Sequence, residues 1–218
     1  MVASHLNVLP DETAARLNEF VKAGGVLLAD CRTGVKDETG LCHARTLPGR
    51  LAESLGIAIE EYESLEDSFI YDVRATRGRQ TWTACLYSDW IRCESATPLY
   101  RYATPHVSKF AVLTSNGYGD GQAFYLGAII RENAFYDELA ATLLKAVRLP
   151  VPKVLPDGVQ VRTRRADEHV YTFYVNHLNK AVEVELPHGR DIIGDRAVGG
   201  TTMLSPMGVV IVESERTP

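Results

Sequence analysis

Apolar positions follow two rhythms along this chain, and the rhythm changes near residue 150. In the first part, PDETAARLNEFVKAGG places Ala14, Leu17, Phe20 and Val21 on one helical face. Asp11 and Glu12 suit the positive end of the helix dipole, and Gly24 can close the helix in the left-handed region. VLLAD follows as a continuous apolar run, the pattern of a strand buried on both faces of a parallel sheet. With the extended stretch MVASHLNVL before it, this predicts a β-α-β unit. Pro48, Leu51, Leu55 and Gly56 in PGRLAESLG predict a short helix leading into a strand, IAIEEYESL. FAVLTSNGYGDGQAFYLGAII reads as two extended runs about a Gly-rich turn. ENAFYDELAATLLKAVRL reads as an amphipathic helix through Phe135, Leu139, Leu143, Leu144 and Val147. Between these, residues 66–110 alternate like strands and are broken by prolines, which predicts a β-rich insertion in an α/β domain spanning 1–150.

Prolines at 150, 152 and 156 make 151–157 a stiff, donor-poor linker. Beyond it, VQVRTRR, HVYTFYVNH, AVEVELP, DIIGD and GVVIVES are short alternating segments without a helical period. They predict a small antiparallel, sandwich-like β domain over 158–218. Its sheet should bury Val159, Val161, Tyr171, Phe173, Val175, Val182, Val184, Leu186, Val210 and Val212.

A length of 218 residues with 45% hydrophobic and 23% charged positions suits an ordinary globular protein of two domains. The net charge of −5, with no Lys/Arg stripe, argues against a nucleic-acid partner. No apolar run approaches the ~20 residues that span a bilayer, and the N-terminus lacks a charged leader region. A soluble, cytoplasmic protein with no membrane partner is expected. The cysteines at 31, 42, 85 and 93 form no CxxC pair, so reduced thiols are expected rather than a zinc ribbon or a disulfide framework.

Cys31, at the end of an apolar run, is the one candidate nucleophile. Cysteine hydrolases and amidotransferases mount a thiolate at such a strand end. Its neighbours here are Asp30 and Arg32, poor material for the tight G-x-C-x-G elbow, and His43 and His106 stand alone in the α/β part. Cys42 and His43 are adjacent and lack a matching pair for a metal, so they read as loop. NGYGDGQ lacks the helix N-terminus and lysine of a phosphate loop and reads as a hairpin turn. Trp82, Tyr87, Trp90, Tyr100 and Tyr102 crowd the insertion; core packing accounts for them first, a protein interface second and sugar stacking third. Asn176 and His177 read as a strand end and turn. No catalytic, cofactor-binding or metal-binding residue is assigned, and no cofactor is expected.

Three stretches resemble the trimerisation domain of family 42 β-galactosidases: LNVLPDETAARLNEFVKAGGVLLADCRTGVKDETG, PGRLAESLGIAIEEYESL and NGYGDGQAFYLGAII. GVQVRTRRADEHVYTFYVNHLNKAVEVELP with GVVIVE is similar to that family's C-terminal β domain. The resemblance implies a flavodoxin-like α/β domain, related in fold to class I glutamine amidotransferases and N-terminally truncated. In the family this domain is a non-catalytic assembly module, and two glutamates on an N-terminal (β/α)₈ barrel hydrolyse terminal β-galactosides. Such a barrel takes ~250 residues, more than this whole chain, so that glutamate pair maps onto no position here. Glu12, Glu19, Glu38 and Glu53 read as solvated helix or loop positions. The expected function is therefore the assembly portion of a β-galactosidase-like glycoside hydrolase, with a cysteine-dependent hydrolase using Cys31 as the alternative. The expected partners are further copies of the chain, in a trimer before a dimer and through the α/β part, together with a catalytic barrel encoded upstream.

Overall fold

The structure is a computed structural model that describes residues 1–66, 68–149 and 155–215. The chain divides into two compact units, Met1–Val151 and Pro152–Pro218.

The first unit opens with β1 (Val2–Ala3), α1 (Asp11–Lys22) and β2 (Val26–Asp30). β1 and β2 pair in parallel, so the β-α-β unit forms where the apolar rhythm predicts it. α1 has no side-chain N-cap; Asp11 and Glu12 in its first turn and Lys22 in its last complement the dipole. Ala14, Leu17 and Val21 are buried, whereas Phe20, expected on the same face, is exposed. A 3₁₀ turn, Gly49–Leu51, runs into α2 (Ala52–Leu55), which stops at Gly56 with φ of 66°. A Cβ there would sit 2.5 Å from Ser95 Oγ, so both the conformation and the space call for glycine.

Six strands follow: β3 (Ile57–Ser64), β4 (Tyr71–Ala75), β5 (Thr81–Cys93), β6 (Thr97–Tyr102), β7 (Ala111–Tyr118) and β8 (Gly121–Leu126). β9 (Ala128–Ile130) and α3 (Asn133–Ala146) complete the unit. Together β1–β9 make one nine-stranded sheet with the order β1-β2-β8-β7-β6-β4-β5-β3, and β9 pairs with β5. Parallel pairing between named strands is confined to β1–β2 and β2–β8, so the sheet is mixed rather than doubly wound throughout. From β3 to β8 the chain turns back repeatedly without a crossover helix between strands, and such connections give antiparallel pairs. Residues 66–110, expected as an insertion, supply β4, β5 and β6, which fill one half of this sheet. β5 alone pairs with β3, β4, β7 and β9.

Alternation along β2 and β8 builds two cores. Leu27, Ala29, Ala123 and Tyr125 join Leu17 and Val21 of α1, Leu51 of the 3₁₀ turn and Leu55 of α2. Val26, Leu28, Phe124 and Leu126 join Phe135 and Leu139 of α3. Helices therefore cover both faces of these central strands, which is why VLLAD is apolar at every position but its last. Of the five apolar positions expected on the α3 face, Val147 is exposed and Leu143 and Leu144 are half-buried.

The second unit is one antiparallel sheet of five strands: β10 (Val159–Ala166), β11 (His169–Asn176), β12 (Val182–Asp191), β13 (Arg196–Leu204) and β14 (Val209–Glu215). Their order is β10-β11-β14-β12-β13, and among the described residues of the unit no second sheet completes a sandwich. DIIGD, expected as a strand, is the end of β12 and the turn after it, with Ile192 and Ile193 exposed. The strand there is RAVGGTTML, masked in the sequence by its two glycines. β11 also turns its other face inward. Tyr174 and Asn176 are buried, while Tyr171, Phe173 and Val175 are half-buried. Most of the expected linker, 151–154, lies outside the described residues, as does Pro150.

Candidate functional site

β2 ends in Asp30, and the chain passes Cys31 before Arg32 bends into the left-handed region with φ of 69°. Cys31 is fully buried. Beneath it lies Asp89 of β5, 1% exposed, whose Oδ2 accepts from the Tyr125 hydroxyl at 2.7 Å and from the Arg32 backbone N–H at 3.2 Å. Asp89 thus ties β5 to β8 and to the end of β2. Burial raises the Asp89 carboxyl above its ordinary value, against the lowering by those two donors and the Arg32 charge. The Tyr125 hydroxyl is also pushed up, first by burial and then by the Asp89 charge beside it. Burial, reinforced by Asp89 and Asp30, pushes the Cys31 thiol up to about 12, and Arg32 only partly opposes this. Asp30 is itself held by the Ser4 hydroxyl and by the His5 backbone N–H at 2.6 Å.

Beside this buried group, with Arg32 common to both, a cleft of about 410 Å³ opens between the residues after β1 and β2, the end of β3 and the bulge in the middle of β5. Its walls include His5, Asn7, Arg32, Tyr62, Glu63 and Tyr87. The Arg32 guanidinium carbon lies 3.7 Å from the centre of the Tyr62 ring. Glu63 Oε2 accepts from the Tyr71 hydroxyl at 2.7 Å and from Trp90 Nε1 at 3.2 Å, which fixes the carboxylate's direction. His106 Nε2 stands 3.2 Å from the same Tyr71 hydroxyl. Tyr87 reaches the cleft because β5 bulges: the register with β9 shifts between Cys85 and Ser88, and Leu86 takes φ of 64°. The bulge throws Leu86 and Tyr87 outward. Phe69 and Ile70, just before β4, are also exposed, so this end of the sheet carries apolar surface.

The alternative that Cys31 is a nucleophile fails on the same geometry. The thiol is sealed from solvent, its thiolate is disfavoured, and among the described residues no hydrogen bond joins it to a histidine. His43 Nε2 instead faces the Leu9 carbonyl at 3.3 Å, and Cys42 is exposed. Among the described residues no group of three His, Cys, Asp or Glu side chains could hold a metal ion. NGYGDGQ is the β7–β8 hairpin, with Tyr118 opposite Gly121. A Cβ on Gly121 would come within 2.0 Å of the Val21 carbonyl, so that glycine serves the packing of α1 over the hairpin. Of the five aromatic residues, Tyr100 and Tyr102 are buried and Trp82 and Trp90 pack against the core; only Tyr87 turns outward. Asn176 is the strand end the sequence predicts, and its Oδ1 accepts from the Leu178 N–H as in an Asx turn; the structure adds that it is a buried hydrogen-bonding hub. Sequence reading passed over Asp89, Tyr62, Glu63 and the Leu86–Tyr87 bulge. An acid inside the otherwise strand-like run TWTACLYSDWIRC was the one signal for Asp89.

No helix among the described residues is long and apolar enough to cross a membrane. Residues 1–150 match the beta-galactosidase trimerisation domain family, and residues 158–214 match the beta-galactosidase C-terminal domain family. Beta-galactosidase Pbg of Clostridium perfringens is 30% identical over 226 residues, covering 97% of this chain and 32% of that protein. Beta-galactosidase BgaA of Clostridium cellulovorans is 27% identical, covering 98% and 32%. Among solved structures, the β-galactosidase from Bacillus circulans sp. alkalophilus matches with a TM-score of 0.91 at 25% identity, over 97% of this chain and 32% of that one. The cold-adapted β-galactosidase from Rahnella sp. R3 matches with a TM-score of 0.89 at 28% identity, over 99% and 32%. The chain thus spans about a third of the length of these relatives. On the match over residues 1–150, followed in the same chain by the second match, the chain belongs to the family of β-galactosidase trimerisation domains and carries that family's C-terminal domain after it.

Proposed function

We propose that this chain is the assembly portion of a β-galactosidase-type glycoside hydrolase: its first unit gathers copies into a trimer, and the chain itself cleaves no galactoside. The observation that carries the reading is the exposed apolar surface of Phe69, Ile70 and Leu86 on the unit that matches the trimerisation family. Apolar surface of this kind marks an interface rather than a solvated face. A trimer needs a heterologous contact, in which this surface of one copy meets a different surface of the next. The second unit stays peripheral, because its strands pair with one another. Hydrolysis belongs in this reading to a (β/α)₈ barrel on an upstream partner segment; the two described sheets offer no such barrel. The finer fold relation, a flavodoxin-like core akin to glutamine amidotransferases, is supported by the parallel β1–β2–β8 part. A cytoplasmic setting is supported by four free thiols, one of them exposed.

Light scattering after size exclusion tests the assembly. The expected mass is three chains, falling to one in Phe69→Asp combined with Leu86→Asp, while a chromogenic β-galactoside stays uncleaved. A wild-type monomer or dimer at micromolar concentration overturns the trimer, and turnover by the purified chain overturns the non-catalytic reading.

A further inference from the structure

The geometry points to a site for a sugar ring in the cleft between Arg32, Glu63 and Tyr87. The first ground is an incomplete cation. Among the described residues no hydrogen bond or ion pair engages the Arg32 guanidinium, and its Nη1 is a buried donor without a partner. A guanidinium offers five N–H donors in a planar fork, and a buried donor left unpaired is destabilising until an acceptor reaches it. The cleft therefore lacks an acceptor.

Charge decides which kind of acceptor fits. Glu63 stands in the same wall, its Oε2 committed to Tyr71 and Trp90 and its Oε1 without a hydrogen bond among the described residues. Asp30 ends β2 nearby, and Asp89 lies close by. A carboxylate or phosphate entering toward Arg32 would meet these acids, and like charges at short range are unfavourable. A hydroxyl group meets no such penalty: it accepts from Arg32 and donates to Glu63 Oε1. Two neighbouring hydroxyls on a ring match the fork and the carboxylate together. Tyr87, held outward by the bulge, offers an aromatic face to the C–H side of such a ring. The cleft volume of about 410 Å³ lies in the range of small-molecule pockets.

Saturation-transfer NMR on the whole chain tests this with D-galactose, D-glucose, the acyclic polyol mannitol, acetate and inorganic phosphate as separate probes. The cyclic sugars should give ring-proton transfer and mannitol far less, because only a ring stacks. Arg32→Gln and Tyr87→Ala should each weaken sugar binding about tenfold or more, a loss of ~1.4 kcal/mol. Tyr87 is exposed, so Tyr87→Ala carries the test if Arg32→Gln does not fold. Transfer from acetate or phosphate with silent sugars overturns the proposal in favour of an anion site, and silence from every probe overturns it outright. Sugar binding undiminished in Tyr87→Ala does so too. The readout is independent of oligomer mass, so a failed trimer and a failed sugar site remain distinguishable.

Discussion

Two buried polar side chains, Asn176 in the C-terminal sheet and Asp89 in the first unit, are held in different ways. In the C-terminal sheet, Asn176 is 1% exposed and uses both ends of its amide. Nδ2 donates to the carbonyls of Lys180 at 2.7 Å, Ser205 at 2.9 Å and Leu204 at 3.4 Å, and Oδ1 accepts from the Leu178 N–H at 2.9 Å. Asp191, 3% exposed, accepts from the Ile193 N–H at 3.1 Å and faces Arg196 Nε at 3.7 Å. In the first unit, Asp89 is as deeply buried yet has no ion-pair partner among the described residues, and the nearby Arg32 lays its guanidinium on Tyr62 instead. A buried polar group whose valences are all filled works as a staple. One set beside an idle cation, next to an open cleft, is material for binding.

The largest effect that would break this comparison comes from the staple. Asn176→Leu keeps the volume but strips the three carbonyls of a shared donor and leaves the Leu178 N–H unpaired. The expected cost is about 3 kcal/mol. A domain of this size loses ~4–8 °C per kcal/mol, so the melting of the second unit should fall by about 12–24 °C. Calorimetry that resolves the units should show this unit alone moving. A shift of only a degree or two would mean that the Asn176 bonds exchange freely with water and are no staple.

Asp89 should have a smaller and pH-dependent effect. Its carboxyl is raised in the folded chain, so folding favours the protonated form. The associated stability is present at low pH and is lost as pH rises above the ordinary carboxylate range and through the folded value. Asp89→Asn keeps an acceptor for Tyr125 and the Arg32 N–H and removes the buried charge. At neutral pH it should raise the stability of the first unit by about 1 kcal/mol, or ~3 °C, and at pH 4 leave it unchanged. A loss of stability at neutral pH would show that Asp89 is a net stabilising anion, as Asp191 is placed to be.

How much of this was legible in sequence follows from the range of the interactions. The β1–α1–β2 unit and the NGYGDGQ hairpin were readable because their causes are local: one apolar stripe, one continuous apolar run, one pair of glycines at a turn. β11 was read on the wrong face because HVYTFYVN is apolar on both, so alternation alone cannot set its parity. DIIGD reads as a strand because isoleucine favours strands, although here the chain turns, and the glycines of RAVGGTTML disguise a ladder fixed by β12. The site was hardest. Asp89 meets Tyr125 across 36 residues and Arg32 across 57, and no local rule brings those positions together. The aromatic crowding of 82–102 was visible, but only the β5 bulge determines that Tyr87 alone turns outward.

The smallest expected effect is an absence of reaction at Cys31. A thiol pushed up to about 12 holds roughly one part in 10⁵ as thiolate at neutral pH, and this one is also closed to solvent. Cys42 is exposed, and Cys85 and Cys93 are half-buried. Iodoacetamide at neutral pH, followed by peptide mapping, should therefore modify Cys42 first, Cys85 and Cys93 more slowly, and Cys31 only after denaturant is added. Binding a sugar in the cleft should not change this order, because the ring would sit on the Arg32 side, beside the sealed thiol. If Cys31 were instead modified faster than Cys42 in the native chain, the buried group beside the cleft would open readily to solvent. Asp89 would then be solvated, its pH dependence would vanish, and the contrast between a sealed acid and an idle cation would no longer hold.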